Sequence, residues 1–165
     1  MTIIAIYGSS CVGKTSVGRA LSKAGNLRFR SCGDAVKERG HLLGVDWREL
    51  DASQHEAIDS DTRAWASAEP NGVVEGRYLD AVLESGMDAA FVLLSASDEV
   101  RLNRWTDRLD RSVSDDELKG FDQAEMDFRS GMYGTATVSP TIQIDTSTLS
   151  TDEVTVLIRV QLEKL

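Results

Sequence analysis

The stretch that decides the fold lies near the start of the chain, where the apolar run Ile3-Ile4-Ala5-Ile6 leads through Tyr7 into Gly8-Ser9-Ser10-Cys11-Val12-Gly13-Lys14-Thr15. A short continuous apolar run of this kind suits a strand that is buried on both faces. The following loop has the spacing G-x-x-x-x-G-K-[ST], and the amphipathic stretch Lys14–Ala24 after it predicts a helix. Strand, loop and helix together predict a site for the phosphates of a nucleoside triphosphate.

The residue types of this loop fit that chemistry. Gly8 and Gly13 let the backbone wrap closely, so that successive N–H groups and a helix N-terminus face the anion. Lys14 adds a cation at the β- and γ-phosphates, and the Thr15 hydroxyl is placed to ligate Mg²⁺. The residues expected to contact ATP here are Gly8, Ser9, Ser10, Cys11, Val12, Gly13, Lys14, Thr15 and Ser16. Because Cys11 lies at a helix N-terminus, its thiol is expected either to be a tolerated small residue or to have a lowered pKa.

The rest of the chain alternates apolar runs with amphipathic stretches. The predicted strands are Thr2–Tyr7, Leu27–Cys32, Gly72–Glu75, Ala89–Ser95 and Thr141–Asp145. The predicted helices are Lys14–Ala24, Asp34–Leu43, Ser53–Ala68, Tyr78–Ser85, Ser97–Asp110, Ser114–Met132 and Thr151–Glu163. This alternation predicts one α/β domain over residues 1–165, with a parallel sheet covered by helices on both faces.

Composition excludes several classes of protein. The 165 residues include 18 Lys and Arg against 27 Asp and Glu, a net charge of −9, which disfavours nucleic acid as a partner. No apolar run approaches the length of a membrane span, so no membrane partner is expected. The first ten residues lack a basic segment and do not predict a secretion signal. Two cysteines give neither a disulfide framework nor a zinc spacing, so a cytoplasmic location is expected.

Three further segments carry candidate site residues. Asp34 follows the second strand, and Glu75 and Arg77 follow the third, where ligands bind at the carboxyl ends of parallel strands. In the fifth of the predicted helices, a three-four-three spacing places four guanidinium groups on one face, which suits a lid that closes over phosphates. Those arginines are Arg101, Arg104, Arg108 and Arg111.

Each of these residues also has a purely structural interpretation. Asp34 could be a helix N-cap, and Glu75 could simply pair with Arg77. The arginine face could be solvated and paired with Asp107 and Asp110. Arg129, which could reach the acceptor when a lid closes, could instead pair with a nearby carboxylate, that of Asp127 or Glu125.

Taken together, these segments resemble the P-loop nucleoside-monophosphate kinases, above all the short archaeal-type cytidylate kinases. The resemblance is carried by the phosphate loop, Ser31-Cys32-Gly33-Asp34, Asn71-Gly72-Val73-Val74-Glu75-Gly76-Arg77, the arginine face, Asp127-Phe128-Arg129 and Ile144-Asp145-Thr146-Ser147. It implies a three-layer fold with a five-stranded parallel sheet of order 2-3-1-4-5, flanked by helices. It also implies an acceptor region over about 33–70 and an arginine-rich lid over about 101–132.

The resemblance and the general chemistry of phosphoryl transfer together suggest roles for the candidate residues. Asp145, Thr146 and Ser147 are expected against the adenine, and Lys14, Arg104, Arg108 and Arg111 are expected to neutralise charge on the transferred phosphoryl group. Asp34, Lys37, Arg77 and Arg129 are expected to bind the acceptor, with Glu75 holding Mg²⁺ through water. Asp34 could instead contact Mg²⁺ through water. Such kinases usually carry arginine at the position of Lys37, and a lysine gives a point charge rather than a planar fork.

Three functions are compatible with these residues. The first is transfer of the γ-phosphoryl group of Mg·ATP to a nucleoside monophosphate, CMP or dCMP. The second is a P-loop kinase for a hydroxyl of another small metabolite or nucleoside, in which Asp34 or Glu75 accepts the proton. The third is a nucleotide-binding regulatory module. No GTPase base-reading motif is present, and the sequence does not distinguish a monomer from a homodimer.

Overall fold

The computed structural model describes residues 3–69, 71–83 and 86–165, and a five-stranded parallel sheet forms its centre. The strands are β1 (Ile3–Tyr7), β2 (Arg28–Ser31), β3 (Gly72–Glu75), β4 (Ala89–Ser95) and β5 (Ile142–Asp145). Their order is β2-β3-β1-β4-β5, and each neighbouring pair is parallel. The predicted sheet, with its order, is therefore confirmed.

Helices cover both faces of this sheet. They are α1 (Lys14–Gly25), α2 (Cys32–Leu43), α3 (Ala52–Ala68), α4 (Leu79–Val82), α5 (Asp98–Leu109), α6 (Asp115–Tyr133) and α7 (Thr151–Leu162). Every residue of β1 is buried, and alternate side chains enter two separate apolar cores. Ile4 and Ile6 pack with α1 and α7, while Ile3 and Ala5 pack with α3 and α4. The result is the expected three-layer arrangement of helices, sheet and helices.

Two predicted boundaries differ from the structure for identifiable reasons. The second strand ends at Ser31 rather than at Cys32, because the Ser31 side chain accepts a hydrogen bond from the Asp34 amide and caps α2. Asp34 is thus not the N-cap. The helix predicted over Tyr78–Ser85 is only Leu79–Val82, since the backbone becomes extended at the buried residue Leu83. Thr2 and the predicted helix end at Ser85 lie outside the described residues.

A short 3-10 turn over Trp47–Glu49, which the sequence did not predict, connects α2 to α3. The Asp46 carboxylate accepts a hydrogen bond from the Arg48 amide and fixes the start of this turn. Gly40 of α2 lies against it: a Cβ at this position would be 2.9 Å from the Cα of Trp47. The missing side chain lets residues 41–50 fold back as one wall of a cleft beside the phosphate loop.

Candidate active site

The loop between β1 and α1 has the backbone of a phosphate cradle. Gly8, Cys11 and Gly13 all have positive φ angles, of 135°, 65° and 96°. Gly13 is the N-cap of α1, and none of the described side chains forms a capping hydrogen bond there. The first N–H groups of α1 therefore point into the loop without an internal partner, which is the arrangement that binds anions.

Lys14 is buried at the mouth of this cradle. Its Nζ donates a hydrogen bond of 2.6 Å to the carbonyl oxygen of Ser9, so the side chain folds back over the loop. Burial lowers the pKa of Lys14 from 10.5 to about 8, although the nearby Glu75 carboxylate opposes this change. Lys14 is thus a poorly solvated cation that forms no ion pair with any of the described carboxylates.

This lowered pKa leads to a prediction about nucleotide binding. Bound phosphates would stabilise the charged form of Lys14 and raise its pKa again, so binding near pH 9 should take up close to one proton. Nucleotide affinity should correspondingly fall as the pH rises above about 8. Calorimetry of ADP binding in two buffers of different ionisation enthalpy measures the uptake. The variant Lys14→Met is the control, and equal uptake by both proteins would contradict the prediction.

Oxygen ligands suited to a magnesium ion cluster beside the cradle. Glu75 is buried at the end of β3, and its Oε1 accepts hydrogen bonds from Thr15 Oγ1 at 3.2 Å and Ser31 Oγ at 2.5 Å. The pairing of Glu75 with Arg77 that the sequence allowed is not what the structure shows. A hydroxyl and a carboxylate are hard oxygen donors of the kind that Mg²⁺ prefers when phosphate oxygens complete its shell. No group of three or more His, Cys, Asp or Glu residues in the described part of the chain could hold a metal ion alone.

The loop after β5 lies directly on the phosphate loop. Thr146 is buried, and its hydroxyl donates to the carbonyl oxygens of Val12 and Ser95. Hydrogen bonds from the Ser147 side chain and from the Ser147 amide lower the pKa of the Asp145 carboxyl group. Of the three predicted adenine contacts, only Thr146 lines the cleft that begins at the phosphate loop. Asp145 and Ser147 shape the loop around it.

The four arginines of α5 do not share one environment. Arg101 is buried, donates to the Ser10 carbonyl oxygen and forms a bidentate ion pair with Asp122 of α6. Arg104 donates to the carbonyl oxygens of Cys11 and Thr146. These hydrogen bonds fasten α5 to the phosphate loop. Arg104 also lines the cleft beside that loop, as the prediction for it requires, whereas Arg101 does not.

The other two arginines of this group lie further along the chain. Arg108 lines the cleft, and it makes no hydrogen bond or ion pair with any residue that the structure describes. Arg111 is exposed, lies outside the cleft lining and pairs with Glu117, whose carboxylate belongs to the capping box of α6. The expected pairing with Asp107 and Asp110 is not found for Arg101 or Arg111. Of the four arginines, Arg108 is the one that lines the cleft and has no hydrogen-bond or ion-pair partner among the described residues, so its guanidinium could contact a phosphate.

The predicted acceptor residues are also divided. Asp34, Lys37 and Arg77 line the same cleft as the phosphate loop. Lys37 lies 3.7 Å from Asp34, which also pairs with Arg19, so the charge of Lys37 is partly neutralised. Arg77 stacks over the Phe121 ring at 5.3 Å and forms an ion pair of 3.1 Å with Glu125.

Arg129, in contrast, has a structural partner. Its guanidinium forms two hydrogen bonds, of 3.0 and 2.7 Å, with the buried carboxylate of Asp80, and a third with the Ala136 carbonyl oxygen. Neither Asp127 nor Glu125, the partners that the sequence suggested, is involved. Arg129 thus joins α6 to α4 and lies outside the main cleft lining in this conformation.

Glu125 is a charged residue of the cleft that sequence reasoning did not select as a ligand-binding residue. Glu125 of α6 is buried, and its Oε1 accepts a hydrogen bond of 2.7 Å from Ser10 Oγ while contacting Arg77. A single carboxylate oxygen therefore touches both the phosphate loop and the arginine at the end of β3. Helical periodicity could have identified it, because Phe121, Glu125 and Phe128 follow one face of α6 and all line the cleft.

The cleft has a volume of about 970 Å³ and continues from the phosphate loop to an aromatic end. This end is walled by side chains of α3, α6 and the segment after β3, which are His55, Asp59, Tyr78, Phe128 and Tyr133. Cavities of this size accommodate small organic ligands. The cleft is continuous, so it has room for a second small molecule beside one bound at the phosphate loop.

The two cysteines are not activated. Burial raises the pKa of the Cys11 thiol, although Arg108 and Lys14 oppose that change. Of the two alternatives for Cys11, the lowered pKa is therefore wrong, because desolvation outweighs the neighbouring cations. Burial also raises the pKa of Cys32 to about 12.

No helix of the described residues is both long and apolar enough to cross a membrane.

Comparison with known proteins agrees with this geometry. A protein family described as AAA domain matches residues 4–126. A cytidylate kinase from Pyrobaculum islandicum is 31% identical over 119 residues, which are 70% of this chain and 65% of that kinase. The match thus spans less than two thirds of the relative's length.

Two solved structures have the same fold over nearly their whole length. A gluconokinase from Sinorhizobium meliloti 1021 is 21% identical with a TM-score of 0.67, covering 99% of this chain and 92% of that one. A shikimate kinase from Aquifex aeolicus is 22% identical with a TM-score of 0.62, covering 99% and 97%. The chain therefore belongs to the AAA domain family that matches its first three quarters, and its fold is that of the P-loop kinases.

Proposed function

We propose that this protein is an ATP-dependent phosphotransferase that moves the γ-phosphoryl group of Mg·ATP to a nucleoside monophosphate, CMP or dCMP. One observation carries the proposal: the same oxygen atom of Glu125 contacts the phosphate loop at Ser10 and the guanidinium of Arg77. A donor phosphate in the loop and an acceptor phosphate at Arg77 would thus be neighbours. The 31% sequence identity with a cytidylate kinase supports the choice of CMP or dCMP as the acceptor.

Positioning and charge neutralisation would supply the catalysis, as is general for phosphoryl transfer. The N–H groups at the start of α1 and Lys14 would hold the β- and γ-phosphates, and Arg108 would reach the transferred group from α5. Thr15 and Glu75 would hold Mg²⁺, which when bound neutralises phosphate charge. Arg77 would orient the acceptor phosphate, with Lys37 a more distant cation in the same cleft. That phosphate is already an anionic nucleophile, so no general base is needed.

A second candidate is a kinase that phosphorylates the hydroxyl of another small molecule. Asp34 favours it, because this carboxylate lines the cleft and could accept a proton from a neutral acceptor. Solved structures of a gluconokinase and a shikimate kinase have the same fold. At 21% and 22% sequence identity, this similarity concerns the fold and not the substrate. Against this candidate, Asp34 is already paired with Arg19 and Lys37.

An acceptor screen separates these functions. Release of ADP from ATP is measured with CMP, dCMP, UMP and AMP, and in parallel with cytidine, gluconate and shikimate. We expect CMP or dCMP to give the highest kcat/KM. If an unphosphorylated compound is the best acceptor, the hydroxyl kinase replaces our proposal. If none stimulates ADP release while ATP still binds, the nucleotide-binding regulatory module replaces it.

Replacement of Arg77 tests the acceptor site directly. Arg77→Ala should raise the KM for the acceptor and lower the acceptor kcat/KM about ten- to a hundredfold, because a charged hydrogen-bonded contact is worth about 1.5–3 kcal/mol. Affinity for ATP should change little. Steady-state kinetics with both substrates varied independently measures both effects. Arg159→Ala on α7 is the control, and a weakened ATP site with an unchanged acceptor KM would contradict the assignment.

A further inference from the structure

The aromatic end of the cleft contains a buried carboxylate that the mechanism above does not use. Asp59 of α3 is only 8% exposed, yet it lines the cleft. Its Oδ2 accepts a hydrogen bond of 2.8 Å from the Tyr133 hydroxyl. None of the described residues forms a hydrogen bond with Oδ1. In the described part of the chain, every polar side-chain atom that is fully enclosed has a hydrogen-bond partner, so Oδ1 is not fully enclosed. Oδ1 is therefore open to the cleft.

A carboxylate is costly in such a place unless it has a partner. Burial raises the pKa of Asp59, which the Tyr133 hydroxyl opposes by donating its hydrogen bond. None of the described cations forms an ion pair with it: Arg63, on the next turn of α3, pairs instead with Glu56. A buried acid that keeps one oxygen free, inside a cavity, indicates a ligand with a hydrogen-bond donor.

The surfaces around Asp59 restrict the shape of this ligand. Tyr78 and Phe128 stack with their ring centroids 5.7 Å apart, and His55 meets the Phe128 ring at 4.8 Å. Tyr133 joins the group 5.6 Å from Tyr78. Rings from α3, α6 and the segment after β3 thus form an apolar wall on which a flat heterocycle can pack. The polar edge of such a ring would face the carboxylate.

We propose that Asp59 selects the base of the acceptor nucleotide by accepting a hydrogen bond from the 4-amino group of cytosine. Uracil has a carbonyl oxygen at that position, which would face the carboxylate as a second acceptor and be rejected. Tyr133 is a positioning residue that holds the carboxylate in place. The inference rests on the proposed nucleotide kinase function, and it deepens that function by naming the residue that determines base specificity.

The wild-type protein and Asp59→Asn test this assignment. The asparagine keeps the hydrogen bond from Tyr133 and can turn an N–H₂ group towards the O4 atom of uracil. We expect the wild type to prefer CMP to UMP by at least about tenfold in kcat/KM, and the variant to lower that ratio at least about tenfold, through KM. Asp61→Asn, on the exposed side of the same helix, is the matched control and should keep the wild-type ratio.

Two measurements keep the test independent of turnover and of the folding of one variant. Calorimetric binding of CMP and UMP should show the same change in preference as the kinetics. A nucleotide of pyrimidin-2-one, which lacks any group at position 4, should bind the wild type at least about tenfold more weakly than CMP. A second variant, Tyr133→Phe, removes the hydroxyl that holds the Asp59 carboxylate. This variant should therefore have a smaller preference for CMP over UMP while still transferring the phosphoryl group.

The possible outcomes separate the two proposals. If no nucleoside monophosphate accepts the phosphoryl group, the proposed function fails, and this inference fails with it. If CMP and UMP react equally well in the wild type, or if Asp59→Asn keeps the wild-type ratio, the specificity role of Asp59 fails while the kinase function stands. A pyrimidin-2-one nucleotide that binds as tightly as CMP would overturn the role of Asp59 as well.

Discussion

Lys14→Ala should lower kcat for phosphoryl transfer at least about a hundredfold, the largest effect that we expect from any single substitution in the cleft. The lost ammonium group acts on charge that develops on the transferred phosphoryl group, so the effect should fall on kcat more than on KM. Steady-state kinetics with the best acceptor measures it. Retention of a tenth of the wild-type kcat by a folded variant would contradict the kinase assignment.

The same substitution should not destabilise the protein. A pKa of about 8 instead of 10.5 means that burial disfavours charged Lys14 by about 3 kcal/mol at neutral pH. This cost is fully present below pH 8 and is lost as the pH rises through 10.5, above which the lysine is neutral in both states. Removing the side chain removes the cost, so Tm at pH 7 should stay the same or rise. Lys23→Ala, on the exposed end of α1, is the control for both measurements.

Gly8→Ala should have the largest effect on stability. Gly8 has a φ angle of 135°, and a Cβ there would be 2.2 Å from the carbonyl oxygen of Leu94 in β4. Strained backbone and steric overlap with a central strand together should cost about 3–5 kcal/mol. That cost corresponds to a fall in Tm of roughly 10 °C for a chain of this size.

A matched glycine substitution distinguishes this overlap from a general effect of adding a methyl group. Gly120 lies within α6, and a Cβ there would meet no atom within 4 Å. Gly120→Ala should raise stability slightly, by up to about 1 kcal/mol, because alanine favours the helical backbone. Thermal unfolding of both variants by circular dichroism makes the comparison. Equal Tm values for Gly8→Ala and the wild type would contradict the close approach of the loop to β4.

The sheet could be predicted well because its signals are local. β1, β3 and β4 have continuous apolar sequences, and the motif from Gly8 to Thr15 specifies the loop and the helix start after β1. The order of the strands came from family resemblance, since nothing in an isolated apolar run specifies its neighbours. The helix ends were predictable where a side-chain cap marks them, as Ser114 and Ser150 do through their capping boxes.

The partners of charged side chains could not be predicted in this way. Arg101 and Arg108 have the same spacing signal on α5, yet one is buried against Asp122 and the other is free in the cleft. Arg129 resembled an acceptor contact because its true partner, Asp80, is 49 residues away in sequence. Such pairs depend on how α6 crosses α4 and the phosphate loop, and helical periodicity contains no information on that crossing.

The ion pair between Glu125 and Arg77 also determines how binding at Arg77 depends on ionic strength. The Glu125 carboxylate forms an ion pair with Arg77 and accepts a hydrogen bond from the Ser10 hydroxyl. An incoming phosphate therefore exchanges one anion for another at this position, rather than adding a charge to a bare cation. Salt screens the departing contact as well as the arriving one. Affinity for an anionic acceptor should consequently vary less steeply with salt concentration than affinity at an arginine without an anionic partner. Glu125→Gln removes the negative charge beside Arg77, so the variant should show the steeper salt dependence.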